Sequence, residues 1–111
     1  MDNSLKESLD HANKMKVFNN QLRLLKEKYL ERNIYFTIGH QFTIDLKLIN
    51  YCITLKNQNK IKDVIMLDDY DLPVRIDDLQ SFYDNIMDLY QQNLNAYIVE
   101  YNALVQDKGR I

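Results

Sequence analysis

The chain of 111 residues holds one cysteine, one proline and two glycines, and each shortage removes a class of protein. With Cys52 alone, no intramolecular disulfide can form, which suits a reducing compartment or the interior of a virion. With only Gly39 and Gly109, no glycine-rich phosphate cradle can be built. Nowhere do eighteen apolar residues run together, and Met1 to Ser4 lead into no apolar stretch. Neither a membrane span nor a standard export signal is therefore expected, so the chain is read as neither secreted nor membrane-bound. The hydrophobic fraction of 46% and charged fraction of 27% are nevertheless those of a folding chain, and its length predicts one domain over residues 1–111.

Scarce proline and glycine leave long helical patterns unbroken. From Asp77 to about Gln106, Leu79, Tyr83, Ile86, Tyr90, Leu94, Tyr97, Tyr101 and Leu104 recur at steps of three and four, the spacing of one helix face. Asp77 and Gln80 form a capping-box pair at its start, and Gly109 is a stop signal. At about 1.5 Å per residue such a helix, residues 77–106, is about 45 Å long. A second long helix is predicted over residues 4–32, opened by Ser4 and Glu7 as a capping box and striped by Leu5, Leu9, Ala12, Met15, Phe18, Leu22, Leu25 and Tyr29. Asn33, tolerant of the left-handed conformation, is its expected terminator.

Residues 34–76 predict two hairpins around a short helix. Ile34, Phe36 and Ile38 alternate with Tyr35 and Thr37, and a three-residue loop of Gly39, His40 and Gln41 would set Ile38 opposite Phe42 and Phe36 opposite Ile44, all facing inward. Asp45 caps a helix from Leu46 to about Lys56, with Leu46, Ile49, Ile53 and Cys52 inward. Asn57 to Lys60 end it. Val64 to Leu67, continuously apolar, predicts a buried strand; Asp68 to Asp71 turn, and Pro73 to Ile76 return, proline being tolerated at a first strand position. The expected class is α+β with helices dominant: long helix, hairpin, short helix, hairpin, long C-terminal helix.

The net charge of −2 hides an asymmetry. Residues 1–62 hold eleven Lys or Arg against six Asp or Glu, whereas residues 63–111 hold three against ten. Such complementarity fits a first and last helix lying against each other with flanking charges paired.

No chemistry is marked. A calcium loop begun at Asp69 lacks glycine at its sixth position and has Gln80 where a bidentate Glu is needed. His11, His40 and Cys52 are too scattered for a zinc site or a nucleophile–base pair. Asp77 and Asp78 are adjacent at a helix start, where the macrodipole accounts for them. No catalytic, cofactor or metal residue is thus assigned, and an enzyme is not expected. Tyr29, Tyr35 and Phe36 near Lys26, Lys28 and Arg32 resemble a single-strand platform, but Glu27 and Glu31 interrupt the basic stretch and the pI is ≈ 5.6. Protein partners are favoured over nucleic acid. Tyrosine brings apolar area with a polar tip, the composition enriched where proteins meet. The candidate interface is Tyr83, Tyr90, Leu94, Tyr97 and Tyr101 with Leu22, Leu25 and Tyr29.

The run Gly39-His40-Gln41-Phe42-Thr43-Ile44-Asp45, then a helix, Val64 to Asp68, Pro73 to Ile76 and a long last helix, resembles small uncharacterised proteins of tailed bacteriophages. Some of these are tail- or fibre-associated domains with a Gly-x-x-Phe-x-Val/Ile-Asp hairpin. The likeness spans about residues 34–106 and excludes the first helix. It implies no catalytic residues. The resulting expectation is a non-enzymatic structural or adaptor protein of a phage particle, tail- or capsid-associated, that forms a homo-oligomer or docks on other virion proteins. The alternative is a small phage-encoded inhibitor or regulator that binds a host protein or nucleic acid.

Overall fold

The structure, a computed structural model, describes residues 3–109. Seven elements follow in the expected order: α1 (Asn3–Arg32), β1 (Ile34–Thr37), β2 (His40–Thr43), α2 (Leu46–Asn57), β3 (Lys62–Leu67), β4 (Pro73–Asp78) and α3 (Leu79–Gly109). The strands make two separate antiparallel hairpins, β1 with β2 and β3 with β4. The chain divides into two compact units. A hairpin unit comprises Glu31–Asn93, and a helical unit takes the described parts of Met1–Leu30 and Leu94–Ile111. Both long helices therefore lend residues to both units.

Nearly all full burial lies in the hairpin unit. Phe42 and Ile44, Ile49, Cys52 and Leu55 of α2, Val64 and Met66 of β3, Val74 and Ile76 of β4, and Leu79, Phe82 and Ile86 of α3 form one cluster. Phe82 is its hub: its ring stands edge-on to Phe42, centroids 5.2 Å apart, and to Tyr35, 5.8 Å. Such geometry sets the positive edge of one ring against the negative face of the next.

The first hairpin turns differently from expectation. Its loop is the two residues Ile38 and Gly39, so Thr37 pairs with His40 and Tyr35 with Phe42. Tyr35 and Phe42 therefore face the core, while Phe36 and Ile38, expected inside, are 70% and 71% exposed. Both loop residues have positive φ, 52° and 75°, as a type I′ turn demands. That turn matches the strands' right-handed twist but suits Asn-Gly, not a β-branched residue such as Ile38. Ile38→Asn should therefore raise stability by about 1 kcal/mol by relieving left-handed strain, read as a higher urea midpoint at unchanged m-value. A lower midpoint would contradict the turn assignment.

Other boundaries shift by single residues. Asp45 caps α2, its Oδ1 accepting from the Leu48 amide at 2.8 Å. In that register Ile49, Cys52 and Leu55 point inward and Leu48 is half-buried, whereas Leu46 and Ile53 are exposed, contrary to expectation. The helix closes at Asn59, φ 58°, with the Lys60 amide donating to the Leu55 carbonyl and the Asn59 amide to that of Lys56. This is a Schellman closure, with asparagine supplying the left-handed residue. Val64–Leu67 is not buried throughout: Val64 and Met66 face the core, and Ile65 and Leu67 face away, because a two-stranded ribbon packs on one side only. Pro73 opens β4 as expected.

The cap of α3 is Asp78, not Asp77, which remains in β4. Asp78 Oδ1 accepts from the Gln80 amide at 3.1 Å, and its Oδ2 accepts from the Ser81 hydroxyl at 2.8 Å. These donors, the Ser81 hydroxyl foremost, hold its carboxyl below the usual carboxylate range. At the other end α3 continues through Gly109, past the expected end at Gln106. Helix α1 already includes Asn3, so Ser4 lies inside the first turn and does not precede it. Asn33 does not act through a left-handed backbone. It is 3% exposed, its Oδ1 accepts from Asn93 Nδ2 at 2.8 Å, and the same Asn93 nitrogen donates to the Arg32 carbonyl at 2.8 Å.

Candidate protein-protein interface

In the helical unit α1 and α3 run antiparallel. Tyr29 meets Tyr97 edge to face, centroids 4.7 Å apart, and Lys28 Nζ lies 3.1 Å from Glu100 Oε2. Further along, Asn13, Val17, Phe18 and Gln21 line a groove of ≈ 220 Å³ with Leu104 and Asp107. The α1 seam is Met15, Phe18, Leu22, Leu25 and Tyr29 at alternating steps of three and four, a coiled-coil rhythm. Continued toward the N-terminus, the same rhythm lands on Ser8 and His11. Leu5 and Leu9 thus leave the seam on which they were expected, and they are half-exposed.

The eight candidate residues divide between the units. Tyr29, Leu94 and Tyr97, with Lys26 and Leu30, line a groove of ≈ 370 Å³, while Leu22 and Leu25 share the α1 seam with Tyr29. Tyr101 stands at the exposed edge. Tyr83 and Tyr90 belong instead to the hairpin unit and pack against its core, and the Lys56 ammonium sits 4.2 Å above the Tyr83 ring. A cation over a ring face is worth about 0.5–1 kcal/mol at such a half-exposed site.

The helical unit is underpacked. Among its described residues only Leu25 is fully buried, while Leu5, Leu9, Val17, Leu24, Leu30, Ile98, Val99, Tyr101 and Val105 are exposed. Of these, sequence periodicity passed over Val17, Leu24, Leu30, Ile98, Val99 and Val105, because it follows one line of residues along each helix.

In the hairpin unit the acidic turn has a structural role invisible in its composition. Asp68 is 6% exposed, and its carboxylate accepts from His40 Nδ1 at 2.7 Å and from the amides of Tyr70 and Leu72 at 2.8 and 2.9 Å. Asp69 accepts from the Thr43 amide and hydroxyl, both at 2.8 Å, and from Gln41 Nε2 at 3.0 Å. His40, expected as a turn residue, is the first residue of β2 and part of this strap. The carboxylates are spent on joining the two hairpins. The His40 hydrogen bond, the largest of several, holds the Asp68 carboxyl below its ordinary range. A lowered folded value means a stability contribution fully present above the unfolded value, near 3.8, and lost as pH falls through the folded one. Asp68→Asn should therefore flatten the acid limb of the stability–pH curve below about pH 4. An acid limb as steep as the parent's would contradict this.

Cys52, fully buried, has its thiol pushed up to about 11 by burial, so it stays protonated and inert. Among the described residues no group of three His, Cys, Asp or Glu is placed to hold a metal ion, and no helix is long and apolar enough to cross a membrane.

No family model matches the chain, and neither a curated protein nor a solved structure matches it.

Proposed function

We propose that this is a non-enzymatic assembly protein, a structural or adaptor component that holds protein partners. One observation carries the proposal: a pair of long helices that, among the described residues of its unit, fully buries only Leu25 and leaves Val17, Leu24, Leu30, Ile98, Val99 and Val105 exposed. Isolated apolar side chains on a surface are ordinary, but several contiguous ones on regular helices mark a place where another protein sits. The hairpin unit has its own core, to which both hairpins, α2 and α3 contribute. The setting in a tailed-phage particle rests on the resemblance of residues 39–45 and their flanking elements.

Quantitative mass spectrometry of gradient-purified particles tests this. The protein should co-purify at a fixed copy number through high-salt washing. Absence from particles, together with nucleic-acid binding that falls steeply with salt, would overturn the proposal in favour of a soluble regulator.

A further inference from the structure

We infer that the free edge of β3 takes up an extended segment of another protein as an added antiparallel strand. The assembly reading above rests on the helical unit, whereas this inference concerns the hairpin unit and so goes beyond it. Ladder geometry fixes which groups are open. The Asp68 amide donates to the Leu72 carbonyl at 2.9 Å, and from that pair the register runs Leu67 to Pro73, Met66 to Val74, Ile65 to Arg75 and Val64 to Ile76. Antiparallel pairs alternate between bonded and unbonded. Val64 and Met66 therefore bond to β4, while the amides and carbonyls of Ile65 and Leu67 point out of the hairpin, where no hydrogen bond from the described residues meets them. Other edges are protected. By the same rule β2 turns out Gln41 and Thr43, and Asp69 covers them: its amide donates to the Gln41 carbonyl at 2.9 Å and its Oδ1 accepts from the Thr43 amide at 2.8 Å. β4 turns out Pro73, which has no amide hydrogen, then Arg75 and Asp77, whose charges disfavour a further strand. β1 turns out Ile34 and Phe36 but lines none of the grooves described here.

A groove runs beside the open edge. One stretch, ≈ 570 Å³, lies between Leu48 and Tyr51 of α2 and Ile65 to Asp69; the next, ≈ 520 Å³, lies between Tyr51 and Leu55 of α2 and Lys62 to Ile65. Tyr51 and Ile65 line both, so the stretches meet. Unlike a bare apolar patch, a row of open amides and carbonyls specifies its occupant, because only an extended backbone matches its spacing. Side chains opposite Ile65 and Leu67 would join those two, 50% and 59% exposed, on the outer face. The side chain opposite Met66 would point the other way, onto Leu48 and Tyr51. The ladder is short: Asp63, with φ 52°, breaks it at one end, and the turn begins at Asp68. Charge then sets the direction. The Lys62 end is lined by Lys60, Lys62 and Asp63, and the Asp68 end by Asp45, Asp68, Asp69 and Asp71 against Lys47. A segment antiparallel to β3 brings its N-terminal end to the acids and its C-terminal end to the lysines. Its chemistry is therefore basic residues, a short apolar run, then acidic residues.

The probe is the peptide Lys-Lys-Val-Ile-Val-Thr-Val-Glu-Glu, titrated into the isotope-labelled full chain and followed by nuclear magnetic resonance. Without peptide, the Ile65 and Leu67 amides should exchange with solvent much faster than those of Val64 and Met66. With peptide bound, they should become protected too. In the inferred register the peptide's isoleucine and threonine lie opposite Leu67 and Ile65 and donate to their carbonyls. Methylating those two nitrogens should weaken binding about 10- to 100-fold, two hydrogen bonds being lost, whereas methylating the valine nitrogen between them, which points away, should leave it nearly unchanged. Exchanging the lysines and glutamates should weaken binding about threefold at low salt. No binding at millimolar peptide, protection elsewhere than β3, equal response to the two methylation patterns, or indifference to the charge exchange would each overturn the inference. So would Ile65 and Leu67 amides already protected in the free chain, as a second copy's strand would protect them. A chain that enters particles at fixed copy number yet takes no peptide strand loses this site alone and leaves the assembly function standing.

Discussion

Phe42→Ala is expected to cost the hairpin unit about 3–5 kcal/mol, the loss usual for a large buried aromatic, whereas Phe36→Ala is expected to change stability by less than about 0.5 kcal/mol. Phe42 is 2% exposed and its ring stands against Phe82, the hub that also holds Tyr35. Removing it takes away transferred apolar surface, leaves a cavity that backbone on several sides cannot fill, and strips Phe82 of one edge contact. Phe36 lies six residues away in the same hairpin but on the opposite face. The comparison tests the hairpin register, because the three-residue loop expected from sequence puts both rings on one face, where both truncations would be costly. Urea unfolding followed by far-ultraviolet dichroism measures it, and comparable losses at the two positions would contradict a turn at Ile38 and Gly39. Set against a total of about 5–15 kcal/mol for a domain, the Phe42 loss is large enough to leave a substantial unfolded population at physiological temperature.

The next largest effect is expected at Asn93. Its side chain is 7% exposed, and Nδ2 donates both to the Arg32 carbonyl and to Asn33 Oδ1. A backbone carbonyl can only accept, which fixes which end of the amide faces it. Asn93→Leu should cost about 2–3 kcal/mol, since two acceptors lose their donor inside the unit. Asn93→Asp supplies a signature that a packing defect would not. At neutral pH its carboxylate faces two oxygens and should destabilise at least as much as leucine. Below about pH 4 the protonated acid regains one O–H donor and part of the loss should return. A pH-independent deficit for the aspartate variant would contradict a donor role for Asn93.

The element order was legible because its punctuation is local. Asp45 before an apolar-periodic run, Asn57 to Lys60 after it, and Pro73 at a strand start each act within a few residues, and each appears where expected. The sides of the strands were not legible. Residues 34–38 carry apolar groups at both parities, so only the turn decides which set goes in, and this turn places isoleucine where asparagine is preferred. Val64 to Leu67 are all apolar and offer no alternation to read. The cap of α3 slid because two adjacent aspartates offer the same cap chemistry, and the serine three residues after Asp78 decides between them. The Asn33–Asn93 bond and the His40–Asp68 bond join residues 60 and 28 apart, a distance over which side-chain polarity carries no periodic signal. For the candidate interface, the seam was visible as a line of residues. The exposure of Leu30, Ile98 and Val105 was not, because it depends on how much of each helix the other covers.

The bond from Asn93 to Arg32 also closes the hairpin unit on itself, so that the point where the chain enters this unit and the point where it leaves are neighbours. A module whose entrance and exit coincide behaves as a cassette. It can be enlarged, trimmed or exchanged for another of similar footprint between the same two helical arms, leaving the order of those arms along the chain undisturbed.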